Sequence, residues 1–134
     1  MALALGFLFA LQAFTPAPAH AAGPDVAYGE ELFRKCRQCH TIGTAARHGT
    51  GPALNGIIGM KAGSQTAYRY SPAMKRAGAS GVIWTAKTLQ RYLKAPAAMV
   101  RGTKMRFAGL KDEADRADLI AYLARFDAKG QVRK

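Results

Sequence analysis

The pattern of apolar and polar residues predicts helices joined by long irregular segments. After residues 85 and 112, apolar side chains recur three and four positions apart, which is the spacing of one helix face. The predicted helices cover residues 29–36, 72–76, 86–95 and 113 to about 128. No stretch convincingly predicts a strand, so the expected fold class is all-α with long irregular loops.

Polar residues and prolines set the expected helix limits. Ser71, Thr85 and Asp112 are typical N-caps, because their side-chain oxygens accept hydrogen bonds from first-turn N–H groups. Pro72 suits the first helical position, and Pro96 ends the third helix by disfavouring helical geometry in the residue before it. Glycines and a proline interrupt residues 40–63, which predicts a loop.

The first stretch of the chain indicates export. Residues 2–14 are almost wholly apolar but too few to cross a bilayer core of about 30 Å. Ala19-His20-Ala21 is the small-x-small pattern that a signal peptidase recognises, although the usual positive n-region is missing. We expect residues 1–22 to be a cleaved signal peptide and residues 23–134 to be one periplasmic domain. A buried N-terminal helix and an uncleaved membrane anchor are the alternatives.

The charge is strongly basic and unevenly distributed. The net charge is +12, and no acidic residue occurs between residues 32 and 111. Such a chain is attracted to acidic protein faces and, weakly, to anionic membrane surfaces. Export and the lack of a recognisable binding module argue against nucleic acid. If the fold joins its two ends, the acids form one pole; the alternative is a generally solvated basic surface.

The candidate chemistry lies in Cys36-Arg37-Gln38-Cys39-His40, the attachment motif of c-type haem. Two thiols at this spacing reach two vinyl groups on one porphyrin edge, and the next residue can coordinate the iron. A redox dithiol needs a βαβ context, zinc needs four ligands with only His48 to add, and a disulfide would close a very short loop. We therefore expect one covalently bound haem c.

A methionine is the expected sixth ligand for an electron-transfer haem. The expected mature chain offers four methionines, any of which could simply fill the core: Met60, Met74, Met99 and Met105. Met105 differs in context, because it lies in a predicted loop from which a side chain can be presented to a metal.

Several further segments follow the haem motif in a fixed order. They are GPALNGIIG, Tyr70, Trp84, TLQRYLKAP, GTKMRFAGL and DLIAYL. Together they resemble the class I cytochromes c of the long-chain mitochondrial and bacterial type, over residues 26–128. The resemblance implies the cytochrome c fold, in which helices wrap around one covalently bound haem.

The resemblance also implies individual roles. Cys36 and Cys39 form the thioethers, while His40 and Met105 are the axial iron ligands. The carbonyl of Pro52 orients His40. Tyr92 and Thr103 line the methionine side of the pocket, and Tyr70 and Trp84 lie near a haem propionate. The other implied positions are the helix contact of Gly29, Phe33, Leu119 and Tyr122, the loop-bridging His48, and the haem-edge lysines Lys35, Lys104 and Lys111.

Four departures from the family pattern concern the pocket and the surface. Met74 replaces a common Asn, Met60 replaces a common Arg, Ala97 and Ala98 replace a lysine pair, and about three residues are inserted within 77–79. They bear on the redox potential and on the partner, and they leave haem attachment untouched.

The expected function is single-electron transfer by a monomeric periplasmic carrier. Its partners are acidic docking faces on a bc-type quinol-oxidising complex and on an oxidase or photosynthetic reaction centre. The protein is no enzyme in this interpretation, because both axial positions are filled. The alternatives are a haem enzyme or gas-binding protein whose methionine leaves, and a haem subunit of a periplasmic dehydrogenase.

Overall fold

The computed structural model describes residues 23–134, and the predicted signal peptide lies outside the described residues. Within this range the chain forms five helices: α1 Val26–Phe33, α2 Pro72–Ala79, α3 Ala86–Lys94, α4 Pro96–Met99 and α5 Glu113–Ala124. In residues 23–134 there are no extended strands, only two isolated bridges. The all-α prediction with long irregular connections is confirmed. None of these helices is long and apolar enough to cross a membrane.

The first and last helices pack together more extensively than any other pair. Gly29 lies directly against the backbone carbonyl of Asp118, so a side chain there would collide with α5. The rings of Phe33 and Tyr122 pack with centroids 5.5 Å apart. Asp118 also accepts a 2.7 Å hydrogen bond from the backbone N–H of Asp25, the N-cap of α1. The predicted contact between the two ends of the domain is therefore confirmed.

Helix α3 packs against α5 and completes the core. Its buried residues Leu89, Tyr92 and Leu93 share one face, as their spacing predicts. Arg116 of α5 is also buried, and it donates to the side chain of Gln90 and to three consecutive backbone carbonyls, those of residues 110–112. The buried guanidinium is thus satisfied and ties the segment before α5 to α3.

Two predicted helices begin or end elsewhere. Helix α1 begins at Val26 and not at Gly29, because the Asp25 carboxylate caps the N–H of Tyr28. It ends at Phe33 and not at Cys36, because the chain turns tightly from there into the haem motif. Helix α2 continues past Arg76 to Ala79, so the inserted residues extend this helix. Alanine is the best helix former, and Ala77 and Ala79 account for this extension.

The predicted loop after Pro96 and the predicted length of the last helix were also wrong in part. Pro96 ends α3 but opens the one-turn helix α4, where its missing N–H costs nothing. Helix α5 ends at Ala124, because residues 125–133 fold back in a hairpin. Arg133 donates to the carbonyl of Arg125 at 2.7 Å, and Asp127 donates to the carbonyl of Gln131 at 2.9 Å.

Most carboxylates at the acidic end have local partners. Asp25 and Asp112 cap helices, and Asp127 accepts two N–H groups of the hairpin. Glu31 forms an exposed ion pair with Arg34 at 2.9 Å, and such surface pairs contribute little stability. Asp25 and Asp118 meet at the α1–α5 contact, and much of the hydrogen-bonding capacity of the acids is used within the fold.

Candidate haem-binding site

An apolar cavity of ≈ 440 Å³ lies between α3, α5 and the loops. Its size is typical of a small-molecule or cofactor site. All nine predicted site residues line it: Cys36, Cys39, His40, Pro52, Tyr70, Trp84, Tyr92, Thr103 and Met105. These residues come from five separate segments, so the fold gathers the predicted site in one place.

The Cys36–His40 segment follows α1 as a series of tight turns. Cys39 and His40 both donate backbone hydrogen bonds to the carbonyl of Cys36, at 3.0 and 2.9 Å. Cys36 itself donates to the carbonyl of Phe33 at 2.8 Å, which joins the motif to α1. The turns bring both thiols and the imidazole to the same cavity.

The imidazole of His40 is oriented from one side. Its Nδ1 lies 2.7 Å from the carbonyl oxygen of Pro52, so Nδ1 carries the proton and donates it there. The backbone of Gly51 runs against the ring, and a Cβ at this position would approach Cε1 to 2.5 Å. Burial lowers the pKa of His40, and the bond to Pro52 offsets part of that lowering. The neutral ring therefore keeps its Nε2 lone pair for a metal.

The Cys36 thiol does not have the character of a redox-active thiol, and the motif does not form a zinc site. Burial raises the pKa of the Cys36 thiol to about 11, against the opposing influence of Lys35. A redox-active C-x-x-C motif lowers this pKa, because its chemistry needs a thiolate. Nor do residues 23–134 contain a cluster of three His, Cys, Asp or Glu side chains able to hold a metal ion. His48 instead accepts the N–H of Ala53 at 3.1 Å, a contact within the loop.

The methionine segment contributes a second set of contacts. The hydroxyl oxygen of Thr103 accepts the backbone N–H of Met105 at 3.2 Å, and it lies 3.3 Å from the hydroxyl of Tyr92. Burial raises the pKa of Tyr92, so this phenol stays protonated. The Thr103 side chain thus fixes the backbone of Met105 to helix α3 through Tyr92.

Only two of the four candidate methionines line the cavity. Met74 and Met105 line it, whereas Met60 and Met99 pack against the core elsewhere. Met74 is buried on α2, while Met105 lies half-buried in the loop. The structure thus narrows four candidates to two, and loop context favours Met105.

Aromatic side chains form a large part of the wall. The rings of Trp84 and Tyr92 pack with centroids 4.8 Å apart, and Tyr68 and Tyr70 meet edge-on at the same distance. The hydroxyl of Tyr68 donates to the carbonyl of Thr50 at 2.6 Å.

Sequence reasoning missed Tyr68 and Gly51. The Gly-Pro pair at 51–52 is the one signal that could have indicated a close backbone approach. The place of Tyr68 depends on contacts between distant loops, for which the sequence carries no signal.

Basic residues stand at the cavity mouth, but not all of those expected. Lys35, Lys104 and Arg106 line the cavity, whereas Lys111 does not. The Lys111 ammonium donates to the carbonyls of Lys94 and Ala108, at 3.2 and 2.9 Å. Lys111 therefore holds a loop in place.

The arrangement fits a large planar apolar cofactor attached through sulfur. The walls are leucine, isoleucine and aromatic side chains, two thiols stand at the cavity, and one imidazole nitrogen is left for a metal. The fold and site therefore define a small all-α protein built around a covalently held metal macrocycle.

Comparison with known proteins identifies the family. The profile of the cytochrome c family matches residues 26–126, and the chain belongs to that family. The chain is 50% identical over 108 residues to cytochrome c2 of Rhodomicrobium vannielii, covering 81% of this chain and 83% of that protein. It is 42% identical to cytochrome c2 of Blastochloris viridis, covering 94% and 97%. The structure of cytochrome c2 from Rhodospirillum centenum matches with a TM-score of 0.73 and 38% identity, covering 77% of this chain and 98% of that chain. Membership implies a single covalently bound haem c, as predicted.

Proposed function

We propose that this protein is a periplasmic single-electron carrier whose haem is attached through Cys36 and Cys39 and ligated by His40 and Met105. One observation carries the proposal: the fold brings the attachment motif and Met105 to the same apolar cavity. Membership of the cytochrome c family supports the electron-carrier function, and so do the relatives named cytochrome c2. The apolar stretch at residues 2–14 supports export.

The bound haem supplies reversible one-electron chemistry at its iron. The chain's own residues hold it in one geometry and keep water away. His40 is fixed in one tautomer by the Pro52 carbonyl, and Thr103 fixes the backbone of Met105. Buried side chains of α3 and α5 close the cavity: Leu89, Leu93, Leu119 and Leu123. A rigid, dry pocket changes little between two redox states, which keeps reorganisation small.

The same residues argue against an enzyme. If His40 and Met105 fill both axial positions, no coordination site remains for oxygen, peroxide or another substrate. A haem enzyme whose methionine leaves is the second candidate. Only the sparse hydrogen bonding of residues 106–109 favours it, since their N–H groups have no acceptor among residues 23–134.

The partners we propose are proteins with acidic docking faces. Lys35, Lys104 and Arg106 surround the cavity mouth, and residues 32–111 contain no acid. Opposite charge on a partner would steer it to this mouth, where the edge of a bound haem would be nearest to solvent. A quinol-oxidising bc-type complex fits as donor, and an oxidase or reaction centre as acceptor.

Rapid mixing tests this function. The oxidised protein should be reduced by membranes that contain an active bc-type complex and a quinol, and specific inhibition of that complex should abolish the reduction. The reduced protein should then be reoxidised by an oxidase or an illuminated reaction centre. Failure of both reactions, together with rapid peroxide or oxygen consumption, would contradict the carrier and favour the enzyme.

A further inference from the structure

The hairpin that follows α5 packs on the loop that holds the haem-binding histidine. Residues 126 and 132 pair as a bridge at its base, and Gly130 is buried at its turn. The turn lies against Gly43, so close that a Cβ on Gly130 would collide with the Gly43 carbonyl. Ala128 lies against Gly56 in the same way, since a Cβ on Gly56 would come within 3.0 Å of its Cα. The hairpin therefore touches the loop at two points.

The contacted loop is the one that orients His40. Asn55 accepts the backbone N–H of Gly43 at 2.9 Å and donates to the Gly43 carbonyl at 3.0 Å, which closes residues 43–55 into one unit. Two residues of this unit bond to the haem motif. The N–H of Gly51 donates to the carbonyl of Cys39 at 2.8 Å, and the carbonyl of Pro52 accepts from Nδ1 of His40 at 2.7 Å. A short chain of contacts thus joins the hairpin to the imidazole.

The hairpin has its own internal bracing. The Asp127 carboxylate accepts the N–H groups of Lys129 and Gln131, both at 2.8 Å. Gly130 has φ +75°, a left-handed conformation that glycine adopts without strain, and its backbone N–H donates to the Asp127 carbonyl at 3.0 Å. The turn therefore depends on a carboxylate and a glycine at fixed positions.

We propose that the hairpin of residues 126–132 positions the haem-binding histidine, His40. By pressing on Gly43 and Gly56 it holds the loop of residues 43–55, and so keeps the Pro52 carbonyl on Nδ1 of His40. The role of His40 as iron ligand comes from the proposed function; the hold on the loop does not depend on it. The bond from Nδ1 makes an imidazole a stronger donor to its metal, which favours the oxidised state. Loosening the hairpin should weaken that bond and raise the midpoint potential.

Two hairpin variants test the proposal. In Gly130→Ala the new Cβ meets the Gly43 carbonyl, whereas Asp127→Ala removes the acceptor of two turn N–H groups. Gly81→Ala is the matched control for the first, because Gly81 also has positive φ (92°) but open space around its Cβ. Asp127→Asn is the control for the second, because its amide oxygen keeps the acceptor.

Amide hydrogen exchange and redox titration are the measurements, made on the haem-loaded full chain. The N–H groups of Gly43, Gly51 and Leu54 should exchange about five- to tenfold faster in both hairpin variants, the loss expected for about one hydrogen bond. The N–H of Leu110, bonded to the distant Leu93 carbonyl, should keep its rate. The midpoint potential should rise in the hairpin variants and stay at the wild-type value in Asp127→Asn.

Equal acceleration at Leu110 and at the loop amides would overturn the proposal, because the hairpin would then contribute only to global stability. Loop amides that keep the exchange rates of Gly81→Ala would overturn it as well, because the hairpin would then not hold the loop. The exchange measurement distinguishes this failure from failure of the proposed function. If His40 does not ligate the iron, the potential stays constant while the loop amides still exchange faster. If Gly130→Ala cannot be purified, the Asp127 pair carries the same test.

Discussion

The two sides of the cavity are held in different ways. On the histidine side the backbone bonds to itself: His40 to Cys36, Gly51 to Cys39 and Leu54 to Thr41. On the methionine side the N–H of Met105 is accepted by a side-chain hydroxyl, that of Thr103, and residues 106–109 donate no backbone hydrogen bond to the described chain. Several backbone hydrogen bonds hold a loop more firmly than one side-chain hydrogen bond does. The segment around Met105 should therefore open more readily than the segment around His40. Variants on each side test this difference.

Removal of both thioether cysteines should prevent stable folding. Without haem the apolar walls of this cavity of ≈ 440 Å³ would lose their packing partner and face water. A typical domain has a net stability of only about 5–15 kcal/mol, so the loss of this burial should be enough to unfold the chain. Circular dichroism of Cys36→Ala/Cys39→Ala should show little cooperative melting. A compact apoprotein with a sharp transition would contradict this, while single Cys39→Ala, with one thioether left, should be intermediate.

Replacement of Met105 should free one coordination position of the iron, while His40 should stay bound. Met105→Ala should abolish the near-infrared-edge band of methionine–iron ligation, lower the midpoint potential and let carbon monoxide bind the ferrous form. Met99→Ala is the control, because Met99 packs outside the cavity. Met74→Leu keeps an apolar group at the cavity and should retain the band. If Met74→Leu lost the band and Met105→Ala kept it, the ligand assignment would be wrong.

The sequence predicts the ligand on the histidine side more directly than the ligand on the methionine side. The histidine side is encoded in five consecutive residues, 36–40, so local spacing alone indicates its chemistry. Met105 could be chosen only from its loop context and from the resemblance, because four methionines were available. The contacts of Gly130 with Gly43 and of Tyr68 with Thr50 join distant segments. No periodicity or motif reports such contacts, and the first residues of the hairpin, to about Ala128, were therefore predicted as helix.

Loss of the Thr103 hydroxyl should loosen the methionine side without breaking it. Thr103→Val removes the acceptor of the Met105 N–H and the partner of Tyr92, while it keeps the shape of the side chain. The lost bond is worth about 1 kcal/mol, so imidazole should displace the methionine about fivefold faster. Thr103→Ser keeps the hydroxyl and should behave as wild type. Identical displacement rates in both variants would mean that packing alone holds the loop.

Charge reversal at the cavity mouth should give the smallest effect. Lys35 lines the mouth, whereas Lys129 is an exposed residue of the hairpin and does not line the cavity, so Lys35→Glu and Lys129→Glu carry the same charge change at different places. At low ionic strength Lys35→Glu should slow association with an acidic redox partner about two- to fivefold. Added salt should reduce the difference, since the Debye length is about 8 Å at physiological salt. Equal losses from the two variants would show that overall charge, and not the mouth, guides docking.

Optical spectroscopy of the purified wild-type protein decides whether His40 and Met105 both coordinate the iron of a covalently held haem. The ferric form should show the methionine–iron band, and the spectrum of the ferrous form should not change when carbon monoxide is added. A ferric spectrum without that band, together with immediate carbon monoxide binding, would show an open iron and contradict the account.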